Sequence, residues 1–225
     1  MSHSLVDLPA DVLRDPLLGI LRARLAREDL ISLSLTSRAF AILLRPFIFE
    51  SLTFRERGSS AKDRVDSLAS ASTLMPLVQR LVFEPAPTEG DDGEDGAVAG
   101  FWSAFLELVP RLFGLRAIIC DGTAMPPDDF WYTLIVSGNV HPKALEVKDA
   151  FANGGPPPSL FKVRGLSFLQ FSDDRKIRDE QSLPLALSIK VKEMVFRNRH
   201  TLEKLEIFSS RLALNEASLP LQERH

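Results

Sequence analysis

One tyrosine and one cysteine stand in 225 residues. The lone Cys120 excludes an intrachain disulfide and a four-cysteine zinc site, and it fits a cytosolic or nuclear home. The shortage of tyrosine comes with only 2 Trp against 15 Phe. Aromatic mass without a polar handle points to apolar packing more than to a polar ligand pocket. Charge of one sign is also lacking. The formal net charge is −3, which gives no whole-chain attraction to nucleic acid or an anionic membrane. No window approaches the length of a membrane span. The start Met-Ser-His-Ser-Leu-Val-Asp-Leu-Pro lacks the basic and apolar regions of a signal peptide.

Chemistry-bearing motifs are equally scarce. The four histidines are His3, His141, His200 and His225, and no two stand at metal-ligand spacing. There is no G-x-S-x-G elbow and no Walker loop. Cys120 ends an apolar strand pattern, where a buried thiol is expected and not a nucleophile. Glu84 to Asp95 carries six acidic residues and no basic one, a charge of −6, so the rest of the chain sums to +3. Aligned as a calcium loop on Asp91, Asp95 and Gly96, this stretch puts Gly93 at the third position and Trp102 at the twelfth, and the pattern fails. A disordered acidic loop over 85–99 is expected. Arg197, Arg199 and His200 with Lys190 and Lys192 read as a solvated helix face, since no aromatic platform is interleaved for nucleic acid. No cofactor, metal, nucleic acid or membrane is expected.

What is present is pattern. Arg22–Leu25 and Asp29–Phe40 read as helical. Leu30, Leu33, Ser37 and Phe40 form one row, with Ile31 and Leu35 in a second row beside it. Two rows on one helix imply a buried side and a side available to a partner. Asp29 can cap the start, and Pro46 should end the helix that holds Leu43 and Leu44. Arg55–Ser60 reads as a boundary. Helices are expected over Ala61–Leu74, Phe101–Phe113 (interrupted by Pro110), Asp128–Val136 and Leu183–Asn198. Strands are expected over Gln79–Phe83, Leu115–Cys120, Leu145–Lys148, Val163–Phe171 and Leu202–Ser209.

The strands share a motif: an apolar residue, two variable ones, an aliphatic, one variable and another apolar residue. It runs Val78-x-x-Leu81-x-Phe83, Leu115-x-x-Ile118-x-Cys120, Pro142-x-x-Leu145-x-Val147, Val163-x-x-Leu166-x-Phe168 and Leu202-x-x-Leu205-x-Ile207. The centres lie 37, 27, 21 and 39 residues apart. Two gaps fall in the leucine-rich-repeat range of roughly 20–29 residues. The alternative is an ordinary α/β domain whose strands happen to begin in this way.

The N-terminal block resembles an F-box. The resemblance rests on Leu8-Pro9-Ala10-Asp11-Val12-Leu13, on Asp29-Leu30 with the helix ending Leu33-Ser34-Leu35-Thr36-Ser37-Arg38-Ala39-Phe40, and on the tail Pro46-Phe47-Ile48-Phe49-Glu50-Ser51-Leu52. With the motif that follows, the chain is similar to F-box proteins with degenerate leucine-rich repeats, a kind abundant in mushroom-forming fungi. The chain departs from the family in one respect. The interval from Leu8-Pro9 to Asp29-Leu30 is longer than usual and holds Pro16 and Gly19, which disfavour a helix interior. Either the first helix begins after Pro16 or the F-box is degenerate.

The resemblance implies an α/β chain with a helical F-box over 1–57 and a short leucine-rich-repeat-like solenoid of parallel strands and helices over 58–225. It implies a non-catalytic receptor that docks on a Skp-family adaptor of a cullin ubiquitin ligase complex and presents an unknown substrate protein on its repeats. Leu8, Pro9, Val12, Leu30, Leu33, Ser37 and Phe40 are the expected adaptor contacts, unless they form the block's own core. Two further readings are a repeat module whose F-box has decayed, and an enzyme gathering His141 or His200 with acidic residues.

Overall fold

The computed structural model describes residues 19, 24–55, 59–85, 95–149, 155–172 and 185–208. Leu8, Pro9, Val12 and Pro16, the expected helix at 22–23, and 86–94 of the expected acidic loop lie outside the described residues. Gly19, expected to disfavour a helix, is helical.

Alternation of apolar and polar residues organises the sheet. Strands β1 (Ser51–Phe54), β2 (Arg80–Phe83), β3 (Ala117–Asp121), β4 (Ala144–Lys148), β5 (Phe168–Ser172) and β6 (Lys204–Phe208) form one sheet in the order 1-2-3-4-5-6. Every pair is parallel. Parallel strands require crossover segments. Here these segments contain helices α3 (Ser59–Ser70), α4 (Asp95–Leu108), α5 (Asp128–Ser137) and α6 (Leu185–Asn198). Short 3-10 turns at Met75–Leu77, Val109–Arg111 and Pro158–Lys162 supplement them. A strictly sequential order of uniformly handed crossovers puts the connections on one face of the sheet. Among the described residues, the opposite face has no layer of its own.

The register identifies the repeating unit. Leu52, Leu81, Ile118, Leu145, Leu169 and Leu205 lie side by side across the six strands, and their spacings are 29, 37, 27, 24 and 36 residues. Two expectations are corrected. Phe49-x-x-Leu52-x-Phe54 is a further copy of the motif, so Ser51–Phe54 belongs to the sheet and not to a helical block running to residue 57. The copy near β5 is Leu166-x-x-Leu169-x-Phe171, three residues later than expected, and the strand starts at Phe168 and not at Val163.

The physical reason for the second correction is the buried Asn198. Its Oδ1 accepts from the Leu166 N–H at 3.0 Å, and its Nδ2 donates to the Val163 carbonyl at 3.0 Å. The backbone of 163–166 is thereby tied to the end of α6. Gly165, with a φ of 78°, sits within this bend.

A backbone device repeats at each step. The Glu50 carbonyl accepts from Gln79 N and Arg80 N at 2.8 and 2.9 Å. The carbonyls of Gln79, Arg116, Lys143 and Ser167 each accept from two successive N–H groups of the next repeat at 2.7–3.0 Å. These doubled bonds run from main chain to main chain, and at Lys143 the carbonyl also accepts from Ser167 Oγ at 3.2 Å.

Other boundaries differ from expectation for local reasons. Residues 95–99 are helical, not part of a loop, because Ala97-Val98-Ala99 continue into the apolar pattern of Phe101–Leu108. Pro110 converts the end of α4 into the 3-10 turn Val109–Arg111. Helix α3 stops at Ser70 instead of Leu74, and turns follow with Leu74 N donating to the Ala71 carbonyl.

The core beneath the sheet is rich in phenylalanine. Phe54 lies 5.7 Å from Phe83, 5.6 Å from Phe101 and 5.1 Å from Phe105, centroid to centroid. Phe83 reaches Phe130 at 5.6 Å, and Phe130 meets Trp131 edge-on at 5.0 Å. Trp131 spends its one polar atom on the Pro126 carbonyl at 3.2 Å. Each aromatic pair contributes about 0.5–1.5 kcal/mol beyond its area burial. The network joins β1, β2, α4 and α5 and takes up five of the 15 Phe.

Candidate functional site

Two surfaces are candidates: the helical block before the sheet and the uncovered face of the sheet.

The block contains α1 (Arg27–Ser34) and α2 (Arg38–Ile48). The single helix expected over Asp29–Phe40 is broken at 35–37. Serine and threonine side chains cause the break by bonding back to the preceding turn. Ser34 Oγ donates to the Ile31 carbonyl at 2.6 Å, and Thr36 Oγ1 donates to that of Leu33 at 2.7 Å. Ser37 then starts α2 as its N-cap, accepting from the Phe40 N–H at 3.2 Å. Asp29 accepts from the Ala26 N–H at 3.1 Å, closing the first turn of α1 from inside the helix. Pro46 does not end α2, which continues to Ile48. Only one intrahelical bond is lost so near the end, and Ile42, four residues back, faces water.

The block has its own small core of Leu30, Leu44 and Ile48, with Leu33, Phe40 and Phe47 packed against it. Leu30 is 6% exposed, and Leu33 and Phe40 are half-buried. Of the expected contact residues within the described part, three therefore hold the block together. The fourth, Ser37, is occupied as a cap. The outward residues are Ile31, Leu35 and Ile42, exposed by 39%, 81% and 63%. The sequence does carry the signal for two of them, since Ile31 and Leu35 form the second apolar row. Ile42 is displaced from that row by the break at 35–37. Of these outward residues, Ile31 lines a groove of about 380 Å³ together with Arg27, Ala41, Arg45, Ile48 and Phe49.

On the uncovered face of the sheet, one row runs Thr53, Val82, Ile119, Glu146, Gln170, Glu206 across the strands. It is apolar at β2 and β3 and acidic at β4 and β6. The next row runs Ser51, Arg80, Ala117, Ala144, Phe168, Lys204. Glu206 pairs with Lys204 at 2.6 Å and Glu146 with Lys148 at 3.6 Å. The Lys204 ammonium also lies 5.4 Å from the Phe168 ring centroid. Such pairs in water contribute about 0–1 kcal/mol each, so they order the surface more than they stabilise the fold.

The candidates for chemistry are dispersed. Cys120 is wholly buried on the inner face. Burial, and then the neighbouring Asp121 charge, push its thiol well above its usual range, opposite to what activates a nucleophile. His141 is exposed. His200 is exposed, and its Nε2 accepts from Arg199 Nε at 3.0 Å. Among the described residues, no three of His, Cys, Asp and Glu are grouped to hold a metal. Also among them, no helix is long and apolar enough to cross a membrane. No family model, curated protein or solved structure matches the chain.

Proposed function

We propose that the protein is a non-catalytic substrate receptor of a Skp–cullin–F-box type ubiquitin ligase. In this reading α1 and α2 are a degenerate F-box that docks on the adaptor, and the strands with their crossovers are degenerate leucine-rich repeats that hold a target. The receptor needs no cofactor, and it acts by raising the effective concentration of the target near the ubiquitin-conjugating enzyme. The observation that carries the reading is the division of labour in the helical block. Its core is satisfied internally, yet Leu35, Ile42 and Ile31 remain 81%, 63% and 39% exposed. Three exposed aliphatics on so small a block are what a partner surface requires. The sequence features of the resemblance and the sequential parallel sheet that follows support the same reading, as does the single, buried cysteine for a cytosolic or nuclear home.

The test is capture of the full chain by a Skp-family adaptor. Burying Leu35 and Ile42 is worth about 1.5–3 kcal/mol per side chain. Leu35→Asp with Ile42→Asp is therefore expected to weaken adaptor binding by about 100-fold or more while the circular dichroism spectrum is kept. Absence of binding by the unaltered chain, with binding by an established F-box protein, sinks the proposal.

A second reading, a repeat-based interaction module with a decayed F-box and no ligase association, is favoured by the long Leu8-Pro9 to Asp29-Leu30 interval. It predicts target binding without adaptor capture.

A further inference from the structure

Helix α6 packs Val191, Met194, Val195 and Asn198 inward. Its outward side is unusual. Ile189, Lys192, Phe196 and Arg199 follow one another at steps of three, four and three, which places them along a single helical face. All four are exposed, Ile189 by 47% and Phe196 by 63%. The Arg199 guanidinium lies 4.1 Å from the Phe196 ring centroid. The same guanidinium donates to His200 Nε2, so ring and cation are held in place before any partner arrives.

The surroundings are basic. Between Ile189 and Arg199 four cations meet one anion, Glu193. Glu193 is itself paired with Arg197 at 3.3 Å. Arg197 also donates to the Phe161 carbonyl at 3.1 Å, and Lys190 lies 6.0 Å from the Phe161 ring. The exposed Lys162 and Arg164 neighbour Phe161 and Val163, whose carbonyls accept from Arg197 and Asn198 of α6.

We propose that this face of α6 is a docking surface for an acidic peptide segment of a protein partner, one that carries apolar side chains among its carboxylates. Charge complementarity selects the acidic character, since the patch has almost no anion of its own left unpaired. The alternation of Ile189, Lys192, Phe196 and Arg199 selects a ligand that offers apolar and anionic groups in turn. A peptide does this. A nucleic acid would need a series of exposed rings for stacking, and Phe196 is the one exposed ring in the row. A lipid surface would have to overcome the chain's −3 net charge and the −6 run at 84–95. The surface lies in the helical layer, away from the open face of the sheet, and the inference stands whether or not the N-terminal block binds an adaptor.

The experiment is fluorescence anisotropy of the full chain with a short dye-labelled peptide of alternating Glu and Leu. Saturable binding that weakens as salt rises is expected. Lys192→Glu with Arg199→Glu should weaken it about tenfold or more. Phe196→Ala should weaken it severalfold without changing the salt dependence. All three side chains are exposed, and circular dichroism checks that the variants fold. The proposal is overturned by no saturable binding, by equal binding to the charge-reversed variant, or by displacement of the peptide by polyuridylate or phosphatidylserine vesicles at lower concentration than by unlabelled peptide.

Discussion

Gly114 and Asn198 illustrate how single residues fasten neighbouring repeats. A Cβ on Gly114 would stand 2.3 Å from the Pro76 carbonyl oxygen and 3.1 Å from that of Val78. The obstacle is backbone, which cannot step aside as a side chain would. Gly114→Ala should therefore cost about 1–3 kcal/mol, read as a lowered midpoint in thermal unfolding. Asn198 works by satisfaction instead of by space. It is 1% exposed, and besides Leu166 and Val163 it donates to the Met194 carbonyl at 2.9 Å. Thr201 Oγ1 adds a bond to the Leu166 carbonyl at 2.8 Å. Asn198→Ala strands a buried N–H and a buried carbonyl in the bend before β5. A loss of about 2–4 kcal/mol is expected, measured by denaturant unfolding. A loss under about 1 kcal/mol would mean that water replaces the amide.

The legibility of each element in the sequence depended on where its hydrogen bonds go. Helices α5 and α6 and strands β4 and β6 were readable within a few residues, because their periodic apolar faces pack on the core directly. The motif copy at β5 lies three residues later, and the strand starts five residues later, than the sequence pattern places them, because the side chain that fixes the start, Asn198, is 32 residues away from Leu166. No local pattern reports such a bond. Strand β1 is hidden in the sequence for a different reason. Phe49-x-x-Leu52-x-Phe54 matches the repeat motif, but it directly follows a helix and belongs to the same stretch as the F-box-like tail. The candidate adaptor surface was half legible. Two apolar rows were visible on one segment. Which row faces inward was set by the break at Ser34–Ser37, where side-chain-to-backbone bonds win over helix continuation.

At the scale of the whole molecule, two hydrophobic cores stand in series among the described residues. One belongs to the helical block and is built on Leu30, Leu44 and Ile48. The other begins at Leu52 and runs under the sheet to Val195. The first is far smaller, and a core of that size supports little stability alone. Backbone amides of α1 and α2 are therefore expected to exchange hydrogen faster than those of β2–β5, by about tenfold or more. Hydrogen–deuterium exchange with peptide-level resolution checks this, and uniform protection across both cores would show one cooperative unit.

The doubled hydrogen bonds at Glu50, Gln79, Arg116, Lys143 and Ser167 have a consequence for change over time. They set the strand-to-strand step chiefly through main chain, supplemented before β5 by Asn198 and Ser167 Oγ, so the side chains within the strands of the uncovered face carry little duty in keeping the register. Nor does the length of each crossover, which varies while the step is preserved. A scaffold of this kind can alter the residues it presents, or the size of the segment between two strands, and keep the same frame. Diversification of partners and conservation of shape are then decoupled at the level of the backbone.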